Sequence, residues 1–152
     1  MLRQLHKKWW KITTIILLVY VHIGGLLIWV PPRPVVYESI RNLYFHVPLW
    51  FAMILMLLVS LIYSIKHLQK PDAKHDIIAT ELARVSVLFG VLGFATGGFW
   101  GHYTWGNITS FLFADVKILG SMIALLIYFA YFILRGSIDD EEKRSRVAAV
   151  YS

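Results

Sequence analysis

Residues able to do chemistry gather in two short stretches of the chain. The first is Arg41-Asn42-Leu43-Tyr44-Phe45-His46-Val47-Pro48, and the second is Gly97-Gly98-Phe99-Trp100-Gly101-His102-Tyr103-Thr104-Trp105-Gly106. Together they supply an imidazole, aromatic faces, a guanidinium and glycines that allow close backbone approach. That set suits a flat apolar ligand carrying a metal. A neutral imidazole is a common ligand of haem iron, aromatic rings stack on a porphyrin, and arginine meets carboxylates through paired hydrogen bonds. Enzyme signatures are missing: the sequence holds no phosphate loop, nucleophile elbow or HExxH zinc pattern. It also has no cysteine, which excludes disulfides, thiolate metal sites, thioether haem attachment to this chain and cysteine nucleophiles. The expectation is a binding protein and not an enzyme.

The elements that must position these residues are apolar. Of 152 residues, 58 % are hydrophobic and only 16 % charged, with a mean hydropathy of +0.63. Soluble domains carry about 25 % charge and about 45–50 % apolar residues, so the surplus points to lipid-facing surface. Four apolar runs, at about 12–30, 47–65, 82–100 and 116–134, each approach the ~20 residues that a helix needs to cross a bilayer. In lipid the backbone must satisfy its own hydrogen bonds, so these runs are expected to be helices. The first is too long for a signal-peptide core, and Pro31-Pro32-Arg33-Pro34 follows it where a cleavage site would need small residues. The fold class is therefore all-α: a single membrane domain over 1–152, a polytopic bundle of four transmembrane helices, with a cytoplasmic tail over 135–152.

Basic residues give the orientation. Twelve lysines and arginines precede the first run, separate the second from the third, or follow the fourth, whereas the other side has Arg33, Arg41 and Lys117. By the positive-inside rule both termini are cytoplasmic, and residues 31–46 and 101–115 form two outer loops. The same pattern explains the net charge of +6 without nucleic acid, since the bases sit in short blocks between spans. Residues 66–83 read as a solvated loop, with His67 and His75 in water. In the tail, Asp139-Asp140-Glu141-Glu142 before Lys143-Arg144 suits a short helix capped by Ser137 or Asp139.

Each candidate also has a plainer reading. A lone histidine at a membrane interface serves as a polar anchor, and Trp100 and Trp105 suit an aromatic belt. The glycines Gly90, Gly93, Gly97 and Gly98 suit tight helix packing. His22, in mid-span, is either functional or bonded to a neighbouring helix. Asp115 and Lys117 read as a local pair at the mouth of the fourth helix.

In combination, Tyr44-Phe45-His46-Val47-Pro48, a basic loop, a Gly-rich helix and Thr96-Gly97-Gly98-Phe99-Trp100-Gly101-His102-Tyr103-Thr104-Trp105-Gly106 resemble the cytochrome c assembly proteins of the CcmC, or haem exporter C, type. The resemblance runs from about Ser39 to Val150. It implies haem handling at the periplasmic face of a bacterial inner membrane, with His46 as one axial ligand of a non-covalently and transiently held haem b. It implies that Trp100 and Trp105 open a Trp-rich loop that presents haem to a chaperone of the CcmE type, beside ABC-type subunits of the CcmA and CcmB types. The chain departs from the pattern in two ways. Eight residues separate Gly106 from Asp115 where five are usual, and none is tryptophan, so Phe111 and Phe113 replace part of the aromatic platform. Members usually have six helices and a second ligand histidine in the last outer loop, so the chain reads as a truncated member. Arg41 is assigned to a propionate on proximity alone. Two rival readings are a haem-binding electron-transfer membrane subunit and a non-haem scaffold subunit of a membrane transporter.

Overall fold

The computed structural model describes residues 2–106, 113 and 115–152; side chains of residues 2–7 and of Trp105 lie outside that description. Among the described residues five α-helices follow one another: α1 (Leu2–Leu27), α2 (Leu43–Gln69), α3 (Ala73–Trp105), α4 (Val116–Gly136) and α5 (Glu141–Tyr151), with a 3₁₀ turn over Glu38–Asn42 before α2. The first four helices are long and apolar enough to span a bilayer, and no strand occurs among the described residues. The chain is a multi-pass membrane protein of the all-α class that its hydropathy predicts.

The α2–α3 hairpin is the frame. Along α3, Ala79, Ala83, Ser86, Gly90, Gly93 and Gly97 recur at alternating steps of four and three, which is a seam of small residues on one face. The matching positions of antiparallel α2 are His46, Trp50, Met53, Ser60 and Ser64. Ser60, Ser64 and Ser86 are fully buried, as is Ala83. With no hydrophobic drive between helices in lipid, close approach and hydrogen bonds across the seam hold such pairs together. Ser60 Oγ donates to the Ala79 carbonyl at 2.8 Å, tying the hairpin near its turn.

Helices extend beyond the runs that hydropathy alone marks out. The connection expected over 66–83 contracts to residues 70–72, because Asp72 caps α3 through the Lys74 N–H at 2.8 Å and starts that helix at Ala73. His67 is buried, its Nδ1 bonded to the Asp72 carbonyl at 3.0 Å, and His75 is part-buried against Tyr63. Both were expected in water. The tertiary hairpin turn covers them. The fifth helix is capped by Asp140, which accepts from the Lys143 N–H at 2.7 Å, in place of Ser137 or Asp139. Ser137 instead ends α4.

At this basic end α3, α4 and α5 meet around Ala83, Tyr131 and Ala148. Arg135 of α4 makes a two-pronged ion pair with Asp76 of α3, at 2.8 and 2.5 Å, and both side chains are about 85 % buried. Helix α1 stands apart. Ile15 and Ile16 on it are 60 % exposed, as lipid-facing residues should be. It touches the bundle at the other end, where Phe45 lies against Gly25.

Removing one partner of the α3–α4 ion pair leaves a part-buried charge without its counterion, which costs roughly 3 kcal/mol. Asp76→Asn is expected to lower the thermal midpoint in detergent clearly, and the double variant Asp76→Asn/Arg135→Gln is expected to recover part of the loss. Circular dichroism melts of wild type, Asp76→Asn, Arg135→Gln and the double variant check this.

Candidate functional site

The end of the bundle opposite the basic turn is built on the same seam. His46 is the fourth residue of α2, because the helix begins at Leu43 and not at 47 as the apolar run suggests. Five residues of preceding 3₁₀ turn already point the chain, and Asn42 leaves α2 uncapped while its Nδ2 donates to the Thr96 carbonyl at 3.1 Å. That bond pins the start of α2 to α3.

The imidazole sits over a glycine. A Cβ at Gly97 would fall 2.6 Å from His46 Cε1, and one at Gly93 would fall 3.0 Å from Trp50 Cε2. The glycines are the space that the His46 and Trp50 rings occupy. Nδ1 of His46 lies 2.9 Å from the Gly93 carbonyl and 3.2 Å from Thr96 Oγ1. A carbonyl only accepts, so Nδ1 carries the proton, and in the neutral ring Nε2 keeps the lone pair. Among the described residues Nε2 has no hydrogen-bond partner.

Two indoles flank this ring edge-on, Trp50 at 6.1 Å and Trp100 at 6.2 Å between centroids. The Trp100 indole is held from the other side, since its Nε1 donates to Ser39 Oγ at 2.9 Å. Ser39 follows a tight turn, closed by the Tyr37 N–H on the Arg33 carbonyl at 2.8 Å, in which Val35 and Tyr37 take positive φ of 74° and 45°. Such backbone is unfavourable for both residue types. The turn places Val36 on the wall of the cavity.

That cavity measures about 530 Å³, inside the ~300–1,000 Å³ usual for small-molecule sites. One wall carries His46, Trp50, Gly97, Gly98 and Trp100, and the facing wall comes from α4 with Lys117, Ile118 and Ser121. Asp115 caps α4 by accepting from the Lys117 N–H at 2.9 Å, so the pair read as a local interface feature is the entrance of the cavity's second wall.

Other candidates fall elsewhere. The Arg41 guanidinium donates to the carbonyls of Gly25, at 3.3 Å, and Ile28, at 2.5 Å, closing the end of α1, and it does not line the cavity. Phe113 is 66 % exposed and is not on the lining. Phe111 and the Trp105 side chain lie outside the described residues. His22 bonds within its own helix, to the Leu18 carbonyl at 2.7 Å, and leans on Phe45. Ser39, Asn42 and Thr96 gain their roles only here, since single polar residues within or beside a motif carry no periodic signal.

A family model described as heme exporter protein C, CcmC, matches residues 1–152. The chain belongs to this family. Among similar proteins, a putative cytochrome c biosynthesis ccmC-like mitochondrial protein of Marchantia polymorpha is 28 % identical over 127 residues, 83 % of this chain and 52 % of the relative. A heme exporter protein C of Bradyrhizobium diazoefficiens is 27 % identical over 113 residues, 74 % of this chain and 41 % of the relative. This CcmC-family chain thus spans about half the length, or less, of the curated relatives it matches.

The cavity fits a haem on chemical grounds. It offers one neutral nitrogen with a free lone pair, two indole edges and an ammonium group beside an apolar space. Among the described residues no group of three histidines or acids converges to hold a bare metal ion.

Because the imidazole fills the missing Cβ of Gly97, Gly97→Ala is expected to displace the ring, whereas Gly98→Ala, with nothing within 4 Å of its Cβ, is expected to leave it in place. The His46 ring resonances of labelled protein, compared among wild type and the two variants, check this.

Proposed function

We propose that this CcmC-family chain handles haem in cytochrome c maturation, as a binding and relay protein and not as an enzyme. The observation that supports it most is the Nδ1–H bond of His46 to Gly93, which leaves Nε2 as the ligating nitrogen beside an aromatic cavity. His46 would hold the iron through Nε2, and Trp50 and Trp100 would wall in the porphyrin and exclude competing water. Lys117, on the facing wall, is better placed than Arg41 to meet a propionate, since Arg41 is off the cavity lining and its Nη1 is turned to the Gly25 and Ile28 carbonyls.

The haem is of the b type, held non-covalently and for a limited time, consistent with a chain that has no cysteine for thioether attachment. The distribution of basic residues supports a bacterial inner membrane with the His46 end in the periplasm and both termini in the cytoplasm. There the cavity presents haem to a chaperone of the CcmE type, in company with subunits of the CcmA and CcmB types.

Visible spectra test the reading. Purified protein supplied with haem is expected to give a Soret band that His46→Ala abolishes or weakens at least tenfold in affinity. Lys117→Gln is expected to weaken binding roughly tenfold, the worth of one charged hydrogen bond, with Arg41→Gln much milder. A Soret band and affinity unchanged in His46→Ala would sink the assignment.

A further inference from the structure

A second pocket opens at the other end of the bundle from His46. It has a volume of about 460 Å³ and draws Ile77, Thr80, Glu81 and Arg84 from α3, Phe132, Arg135 and Gly136 from α4, and Arg144 from α5. Three guanidiniums from three helices therefore border one pocket. Their counterions are unequal. Arg135 is fully engaged by Asp76 and serves as a fixed wall. Arg84 pairs with Glu81 at 2.9 Å, but both side chains are more than half exposed, which makes the pair weak and easily exchanged. Arg144 is 4.0 Å from Glu141, itself 86 % exposed. Two arginines are thus free to take a better acceptor.

The position of the pocket narrows what that acceptor is. Arg135 and Gly136 are the last residues of the α4 span, so the pocket lies where the hydrocarbon ends. Phe132 and Ile77 give it an apolar side. Phe129, Phe132, Ile133 and Gly136 share one face of α4, and Phe129 and Ile133 are 44 % and 73 % exposed, an open apolar track running from the pocket into the membrane. A ligand with an anionic head and acyl chains meets both halves. Basic pockets between helices at a membrane boundary recognise phosphate headgroups in this way.

We propose that this pocket is a binding site for the phosphate headgroup of an anionic phospholipid, with Arg84 and Arg144 as its ligands and Arg135 as the fixed wall. The site is independent of the haem reading. It joins α3, α4 and α5 through one headgroup, at the point where α5 is otherwise held by small residues such as Ser145, Ala148 and Ala149.

The test is native mass spectrometry of the whole protein with phosphatidylglycerol or phosphatidylcholine added in equal amounts, repeated with excess inorganic phosphate. Wild type is expected to retain phosphatidylglycerol in preference, with little competition from phosphate. Arg84→Gln and Arg144→Gln are each expected to cut that preference about fivefold, and the pair multiplicatively, at roughly the worth of one basic residue at a charged membrane surface. Arg146→Gln, exposed and off the lining, is the control and is expected to behave as wild type. Equal retention of both lipids, or a preference unchanged in the double variant, overturns the proposal. So does displacement by phosphate alone, which marks a free-anion site, or a variant that keeps its lipid but loses a co-purifying protein partner, which marks a protein-docking site.

Discussion

Close contact between α2 and α3 is the constraint on which the rest depends. In a bilayer, lipid tails are as apolar as leucine, so two helices gain little by hiding apolar surface from their surroundings. They gain by fitting. Here α3 offers alanine, serine and glycine in steps of four and three, and α2 answers with serines near the turn and with Met53, Trp50 and His46 toward the other end. The pairing changes character along its length. Near the turn small meets small, and the backbones are tied by the Ser60 bond to Ala79. Further along, large rings enter the space that glycines leave. The same seam that joins the helices therefore creates the seat of the imidazole.

This dual use explains why the site is stiff on one side and open on the other. The His46 ring is fixed by Gly97 beneath it and by Gly93 and Thr96 at Nδ1. Trp100 is fixed by Ser39, and Asn42 closes the gap between the 3₁₀ turn and α3. Each bond crosses between segments far apart in sequence, so the geometry is a property of the assembled hairpin. The facing wall, Lys117 to Ser121, belongs to a different helix, which the Arg135–Asp76 ion pair ties to the hairpin at the far end. Between the cavity and that ion pair, Leu125 of α4 packs against Gly90 of α3 beside Met53 of α2, so the second wall is held along the seam as well.

Helix ends show a second pattern. Asp72, Asp115 and Asp140 each accept a backbone N–H two or three residues ahead and start α3, α4 and α5. Hydropathy marks where lipid begins and ends, not where hydrogen bonding begins and ends. The helices therefore run past the apolar runs wherever a cap lies further out, which moved the start of α3 from 82 to Ala73 and turned a supposed loop into three turns of helix.

By itself, the sequence determined the number of spans, the all-α class and the family, and it marked His46 and the Trp100 stretch as the residues to look at. Those follow from local composition, from the length a bilayer demands and from a motif carried in contiguous residues. Tertiary structure decided which neighbours those residues meet. It took Arg41 away from the cavity, because the open carbonyls at the end of α1 were nearer acceptors, and it brought Lys117 in, because α4 packs opposite the glycine-lined wall. It also turned glycines that looked like simple packing devices into the floor beneath the His46 ring. No periodicity reveals that a missing Cβ on one helix is occupied by an imidazole from another, since the information resides in the register between two helices, and register is fixed only when they pack.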